Sequence, residues 1–133
     1  MTQHSIDARR RRLAGIAVAA GLALVATGVR AAPDIEVGLI APMSGPWARQ
    51  GQVMKSAAEL AIASINQQGG IRSLGGAKLK LSVFDAGDSV EKAKNAAQRM
   101  VAEAPHLVAA TGAYLSSFTL AVTEVTERAQ LPM

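Results

Sequence analysis

Ile35–Gly51 reads IEVGLIAPMSGPWARQG. Its first seven residues, Ile35 to Ala41, make a short apolar run that stops at Pro42, which suits a buried strand. Met43 to Gly51 then holds Ser44, Gly45 and Pro46 and predicts a loop of functional length. A helix is expected from about Gln52, because Val53, Ala57, Leu60, Ala61, Ser64 and Ile65 fall on one face at helical spacing. Gly69-Gly70 should stop it as a glycine C-cap.

The same alternation continues outward. Leu79 to Phe84 alternates apolar and polar residues before Asp85, as a half-buried strand does. Asp88 and Glu91 have capping-box spacing, with Asp in place of Ser or Thr, and predict a helix to about Glu103. Val90, Ala93, Ala97, Met100 and Val101 would be its buried stripe. Leu107 to Thr111 predicts a third buried strand, and a further helix after Gly112–Ser116 carries Phe118, Val122, Val125 and Ala129 on one face. Leu131-Pro132-Met133 looks like the first step of a fourth strand.

The order β-α-β-α-β-α-(β) predicts an α/β fold, a parallel sheet flanked by helices. Right-handed crossovers allow few arrangements. With strand one central, strand two on one side and strand three on the other, winding reverses between strands one and three. Ligands of open α/β sheets bind at such a switch point, beyond the carboxyl ends of the strands. The loops meeting there are Met43–Gly51 and Gly112–Ser117.

The chain has 133 residues, room for one domain, and a net charge of +4. Five of its fourteen Lys and Arg residues (Arg9 to Arg12 and Arg30) lie in the first thirty-one positions, with one acid, Asp7. The rest carries nine charges of each sign, and its aromatics are Trp47, Phe84, Tyr114 and Phe118 alone. Such a neutral body offers no phosphate-neutralising stripe or stacking platform, so no nucleic-acid partner is expected.

Residues 1–31 read as a cleavable, helical signal peptide: the arginines form its cationic start, Leu13 to Val29 its apolar stretch, and cleavage is expected before Ala32. A membrane anchor is the alternative, although the stretch is short and rich in Ala and Gly for a span. Sec and twin-arginine export both remain open. The chain has no cysteine, hence no disulfide, thiolate metal site or lipidated cysteine. The periplasm is the expected location, and residues 32–133 the folded domain.

At the switch point, Ser116 and Ser117 stand where a helix begins, so hydroxyls and backbone N–H groups there could receive a carboxylate. Either serine could instead cap the helix. Ser116, on the loop side, is read as a ligand contact, and Ser117 as a cap or a contact. Trp47 could pack on the core edge or wall an apolar pocket. Arg49 and Gln50 could orient a polar ligand or face solvent, and Tyr114 could stack on a ligand or pack beneath the loop.

Catalysis finds no support. His4 lies in the removable segment and His106 is the one other histidine, so Ser-His or Cys-His chemistry has no partner. Asp85 and Asp88 could hold a metal or a ribose, but Asp88 is better used as a cap. Ser44 to Gly51 lacks the glycine spacing of a dinucleotide loop. Strand one ends in Ala41-Pro42 with no acid to phosphorylate. No catalytic residue, metal or cofactor is expected.

The stretches IEVGLIAPMSGPWARQG, AAELAIASINQQGGI, LSVFDAGDSVEKAKNAAQRMVAE and GAYLSSFTLAVTEVTERAQLPM together resemble the type I periplasmic binding proteins of the branched-chain amino-acid (Leu/Ile/Val-binding) class. They cover nearly all of the chain after Ala32, and SGP-x-A-x-x-G leading to IN-x-x-GGI is the strongest signal. The resemblance implies an ABC-transporter component that captures an amino acid or amide-like solute and delivers it to an inner-membrane permease. It implies a monomer of two lobes, of which this chain would be the N-terminal part of the first. A ligand-sensing ectodomain of the same fold is the alternative. Ser116 would contact the ligand's amino-acid backbone, more loosely joined by Tyr114, Leu115 and Ser117. Gln50 stands where branched-chain binders often carry an aromatic, and Leu115 where some carry a cysteine.

Overall fold

The computed structural model describes residues 32–133; the expected signal peptide and its cleavage point lie outside them. Three strands, β1 (Ile35–Ala41), β2 (Leu79–Asp85) and β3 (Ala109–Gly112), form one parallel sheet in the order β2-β1-β3. Strand one is central, as the winding argument requires. Three helices connect and follow them: α1 (Ala48–Gln67), α2 (Val90–Glu103) and α3 (Ser116–Arg128). Pro132 accepts a hydrogen bond from the Ala110 amide at 2.8 Å, so the last residues run beside β3 as the start of a fourth strand would.

The sheet's two faces are unequal. On one, Ile40 joins Ala93, Ala96, Ala97 and Met100 of α2 and Phe118 and Val122 of α3 in the main core. Alanines on α2 let it approach the strands closely: a Cβ added at Gly38 would stand 2.8 Å from the Met100 sulfur. The stripe differs from the expected one. Val90 is exposed, Val101 is half-buried, and Ala96 is buried in their place. Ala129 likewise lies outside α3 and is exposed, while Thr126 is buried.

The other face meets α1, and here the structure departs further from the spacing. Helix begins at Ala48, after a 3₁₀ turn over Gly45–Trp47 with Pro46 in its first turn, and not near Gln52. Proline suits that place because its missing N–H is not required there and its φ is already helical. The half-buried residues of α1 are Ala48, Gln50, Met54, Lys55, Ala58, Ile62 and Asn66, with Gly51 buried. The row Val53, Ala57, Leu60, Ala61, Ser64 and Ile65 faces away from the sheet; Val53 and Leu60 are 64% and 74% exposed.

Both ends of α1 are fixed by specific contacts. At Gly51 a Cβ would lie 2.1 Å from the Pro42 carbonyl oxygen, so only glycine lets the helix start close to the end of β1. At the other end, Gly69 and Gly70 take positive φ, and their N–H groups bond the carbonyls of Asn66 and Ile65. The Asn66 side chain then accepts from the Leu79 amide at 2.8 Å and donates to the Leu79 carbonyl at 2.9 Å, pinning the start of β2.

The expected cap of α2 is one residue out. Ser89 is the N-cap, its hydroxyl accepting from the Lys92 amide at 3.2 Å. Asp88 instead pairs with the Lys92 ammonium at 2.7 Å. Serine's short side chain reaches the third N–H from the cap position, and aspartate one step earlier does not. Among the described residues, no helix is long and apolar enough to cross a membrane.

Candidate functional site

The loops after β1 and β3 emerge side by side, because both strands are parallel and adjacent. The first loop is anchored to the end of β2. Asp85 accepts from the amides of Met43 at 2.8 Å and Gly87 at 2.7 Å. Burial pushes the Asp85 carboxyl upward, but hydrogen bonds from Ser44, Gly87 and Met43 outweigh it and hold the group below its ordinary value. Asp85 is therefore a charged strut of the loop, and its neighbour Asp88 is occupied by Lys92.

The loop after β3 has unusual backbone. Gly112, Ala113 and Tyr114 have φ of 119°, 76° and 71°. Gly112 could carry no side chain, since a Cβ would stand 2.0 Å from the Ile40 carbonyl oxygen. Ala113, fully buried, donates its amide to that same Ile40 carbonyl at 2.7 Å. A non-glycine residue held in the left-handed region costs about 1–3 kcal/mol and is found where surrounding structure over-determines it, often at binding sites.

This bent course delivers the chain to the start of α3. Leu115 is the N-cap of that helix in extended conformation, and no side chain caps it. The Leu115 carbonyl accepts the first helical bond, from Thr119 at 2.9 Å. Neither serine is the cap: Ser116 and Ser117 are already the first two residues of the helix, and both are exposed. Ser116 is thus not on the loop side. The amides of Ser116, Ser117 and Phe118 precede the first helical donor and point out of the helix end with the positive end of its dipole. A carboxylate is favoured at such a helix end by its free N–H groups and its dipole.

Trp47 packs edge-on against Phe118, ring centres 6.0 Å apart and planes at 89°, and lies against the main core. The core-edge role is the one the structure gives it. Beside the helix end, a cavity of about 340 Å³ is lined by Arg49, Gln50, Val53, Met54 and Tyr114. Gln50 and Tyr114 thus meet at one cavity, whereas Trp47, Leu115, Ser116 and Ser117 are not among its walls. The Gln50 Oε1 is buried without a hydrogen-bond partner, a state that costs about 1–3 kcal/mol. Val53 and Met54 are wall residues that sequence reading missed. Once the helix starts at Ala48, their i, i+4 spacing from Arg49 and Gln50 puts all four on one side.

Among the described residues, Ser82 and His106 do not assemble a nucleophile. Ser82 and His106 both bond the Glu36 carboxylate, His106 at 2.5 Å, near the opposite end of the strands. The acid lies between hydroxyl and imidazole, so the imidazole has no contact through which to accept the serine proton.

The comparisons with known proteins agree with the fold. The family described as "Periplasmic binding protein" matches residues 34–133. The chain is 34% identical over 92 residues to the Leu/Ile/Val-binding protein BraC3 of Rhizobium johnstonii, a match covering 69% of this chain and 24% of that protein. It is 33% identical over 110 residues to Leu/Ile/Val-binding protein homolog 7 of Brucella melitensis, covering 83% of this chain and 26% of the relative. Among solved structures, it is similar to the branched-chain amino acid transporter substrate binding protein LivJ of Streptococcus pneumoniae in complex with isoleucine. That similarity has a TM-score of 0.67 and 25% identity, over 74% of this chain and 27% of the other. The chain spans about a quarter of the length of the curated relatives it matches.

Proposed function

The chain belongs to the periplasmic binding protein family, and from that premise we propose that it contributes to capture of an amino acid or related small solute for an ABC transporter. One observation carries the reading: the start of α3 is left without a side-chain cap at the switch point of the sheet. A solute carboxylate fits there, held by the amides and hydroxyls of Ser116 and Ser117. Its remainder extends over Leu115 and Tyr114 toward Gln50, while Trp47 supports the helix start from behind. The names of the relatives, which are Leu/Ile/Val-binding proteins, support an amino-acid backbone as the recognised group. The role is binding without bond-breaking chemistry. Its setting is the periplasm, reached through the signal peptide of residues 1–31, and its partner an inner-membrane permease that receives the solute from a monomer.

Thermal unfolding of the chain against a panel of amino acids and amides tests the reading. A ligand at 100 times its Kd stabilises the native state by about 2.7 kcal/mol, an upward shift in Tm that is readily measured. Ser116→Ala should weaken the responding ligand by about 2- to 12-fold, the worth of one hydrogen bond, with the fold intact by circular dichroism. A panel without any stabilising solute, or full affinity in Ser116→Ala, would remove the proposal.

A further inference from the structure

Asp85 ends β2, with β1 standing between it and β3. Its carboxylate still organises the backbone that leads to the start of α3. Met43 and Ser44 follow β1 outside any strand or helix, so their amides need an acceptor from elsewhere. Asp85 accepts from the Met43 amide at 2.8 Å, from the Gly87 amide at 2.7 Å, and from the amide and hydroxyl of Ser44. A carboxylate has about four acceptor positions, which these donors fill, whereas a carboxamide of the same shape has about two and would turn its NH2 toward the others.

The segment held in this way runs straight into the 3₁₀ turn Gly45–Trp47. A Cβ added at Gly45 would stand 2.8 Å from the Asp88 Cβ, so the loop after β2 braces the same turn a second time. The turn ends on Trp47, whose ring packs edge-on against Phe118, the third residue of α3. Asp85, Ser44, Trp47 and Phe118 thus form a continuous path from one edge of the sheet to the first turn of α3. We propose that Asp85 is a positioning residue for solute capture, acting through Ser44 and Trp47 on the amides at that helix start. The inference rests on the reading that a solute carboxylate is held there. Close-packed side chains pass strain on with little give, so a turn released from Asp85 withdraws the support of Trp47 and weakens binding without removing any contact to the solute.

Trp47 is the one tryptophan of the chain, so its fluorescence reads the turn with no solute present. In Asp85→Asn the emission should move to longer wavelength as the ring leaves Phe118. L-Leucine, the carboxylate probe, should then bind about 2- to 30-fold more weakly by calorimetric titration, the span that residues touching no ligand exert on a coupled site. Ser44→Ala removes one donor and keeps the amide; it should fall between, and it carries the test if the Asp85 variant does not fold. Asn66→Ala loses both bonds to Leu79 at the opposite end of β2. It should lower Tm while leaving emission and leucine affinity at their original values. In a Trp47→Leu background, Asp85→Asn should add little further loss, because the two residues act in series. Unchanged leucine affinity in both Asp85→Asn and Ser44→Ala, whatever the emission, would overturn the proposal and leave the capture reading standing. A loss matched by Asn66→Ala, or additive losses with Trp47→Leu, would do the same. No leucine binding by the unaltered chain would overturn both the positioning role and the function on which it rests.

Discussion

At the residue scale, Glu36 illustrates how a polar side chain serves the sheet away from the site. The Ser82 hydroxyl and the His106 ring hold its carboxyl below the ordinary value. A lowered carboxylate pKa in the folded state means that the contribution is complete above the unfolded value and is lost as pH falls through the folded one. Urea unfolding followed from pH 6 downward should therefore show a loss of stability in the acid range that is shallower in Glu36→Gln. Equal slopes in the two proteins would remove Glu36 from the account. Single residues also set the limits of legibility. The helix start at Ser116 could be read because serine beside a helix start is a recognisable pattern. The cap at Leu115 could not, since a leucine there has no side-chain signature. Nor do Ala113 and Tyr114 advertise left-handed backbone as glycine or asparagine would.

At the scale of elements, β1 could be delimited residue for residue, because a continuous apolar run bounded by proline is hard to read otherwise. Helix α1 was harder for two physical reasons. Gly45 and Pro46 look like breakers, yet proline also starts helices, and the 3₁₀ turn there leads straight into Ala48. The larger apolar residues Val53, Leu60 and Ile65 outweigh the face that touches the strands, which mixes Met54, Ala58 and Ile62 with Lys55, Asn66 and a glycine. Burial, and not side-chain size, should decide the energetics. Ile62→Ala should cost about 1–2 kcal/mol, below the 2–5 of a fully buried site because Ile62 is half-buried. Leu60→Ala should stay within about 0.5 kcal/mol, as exposed positions usually do. Denaturant midpoints of the two variants check this; a reversed order would mean that the two faces of α1 have been exchanged.

At the scale of the whole described unit, the sheet is ranked from the inside outward. β1 is paired on both sides, whereas β2 has one partner strand and β3 is backed on its outer edge by the Pro132 contact. Amide exchange should accordingly be slowest at Leu39 and Ile40, which are buried as well as doubly flanked, and faster in β2. Faster exchange in β1 than in β2 would contradict the order. This topology was legible from the alternation of strands and helices, since handed crossovers leave few choices. The cavity was not. It arises where a helix starting four residues earlier than the spacing suggests meets a loop whose turn no residue type foretells, and both are products of tertiary packing.

The three successive positive φ angles at Gly112, Ala113 and Tyr114 also bear on the time course of the capture proposed above. A rim that adopts its bent course during folding has no disorder left to surrender when a solute arrives. Encounter then needs little rearrangement, and association can run close to the diffusional rate for a small molecule. Solutes that differ in fit would enter at similar speeds and be told apart by how long they stay.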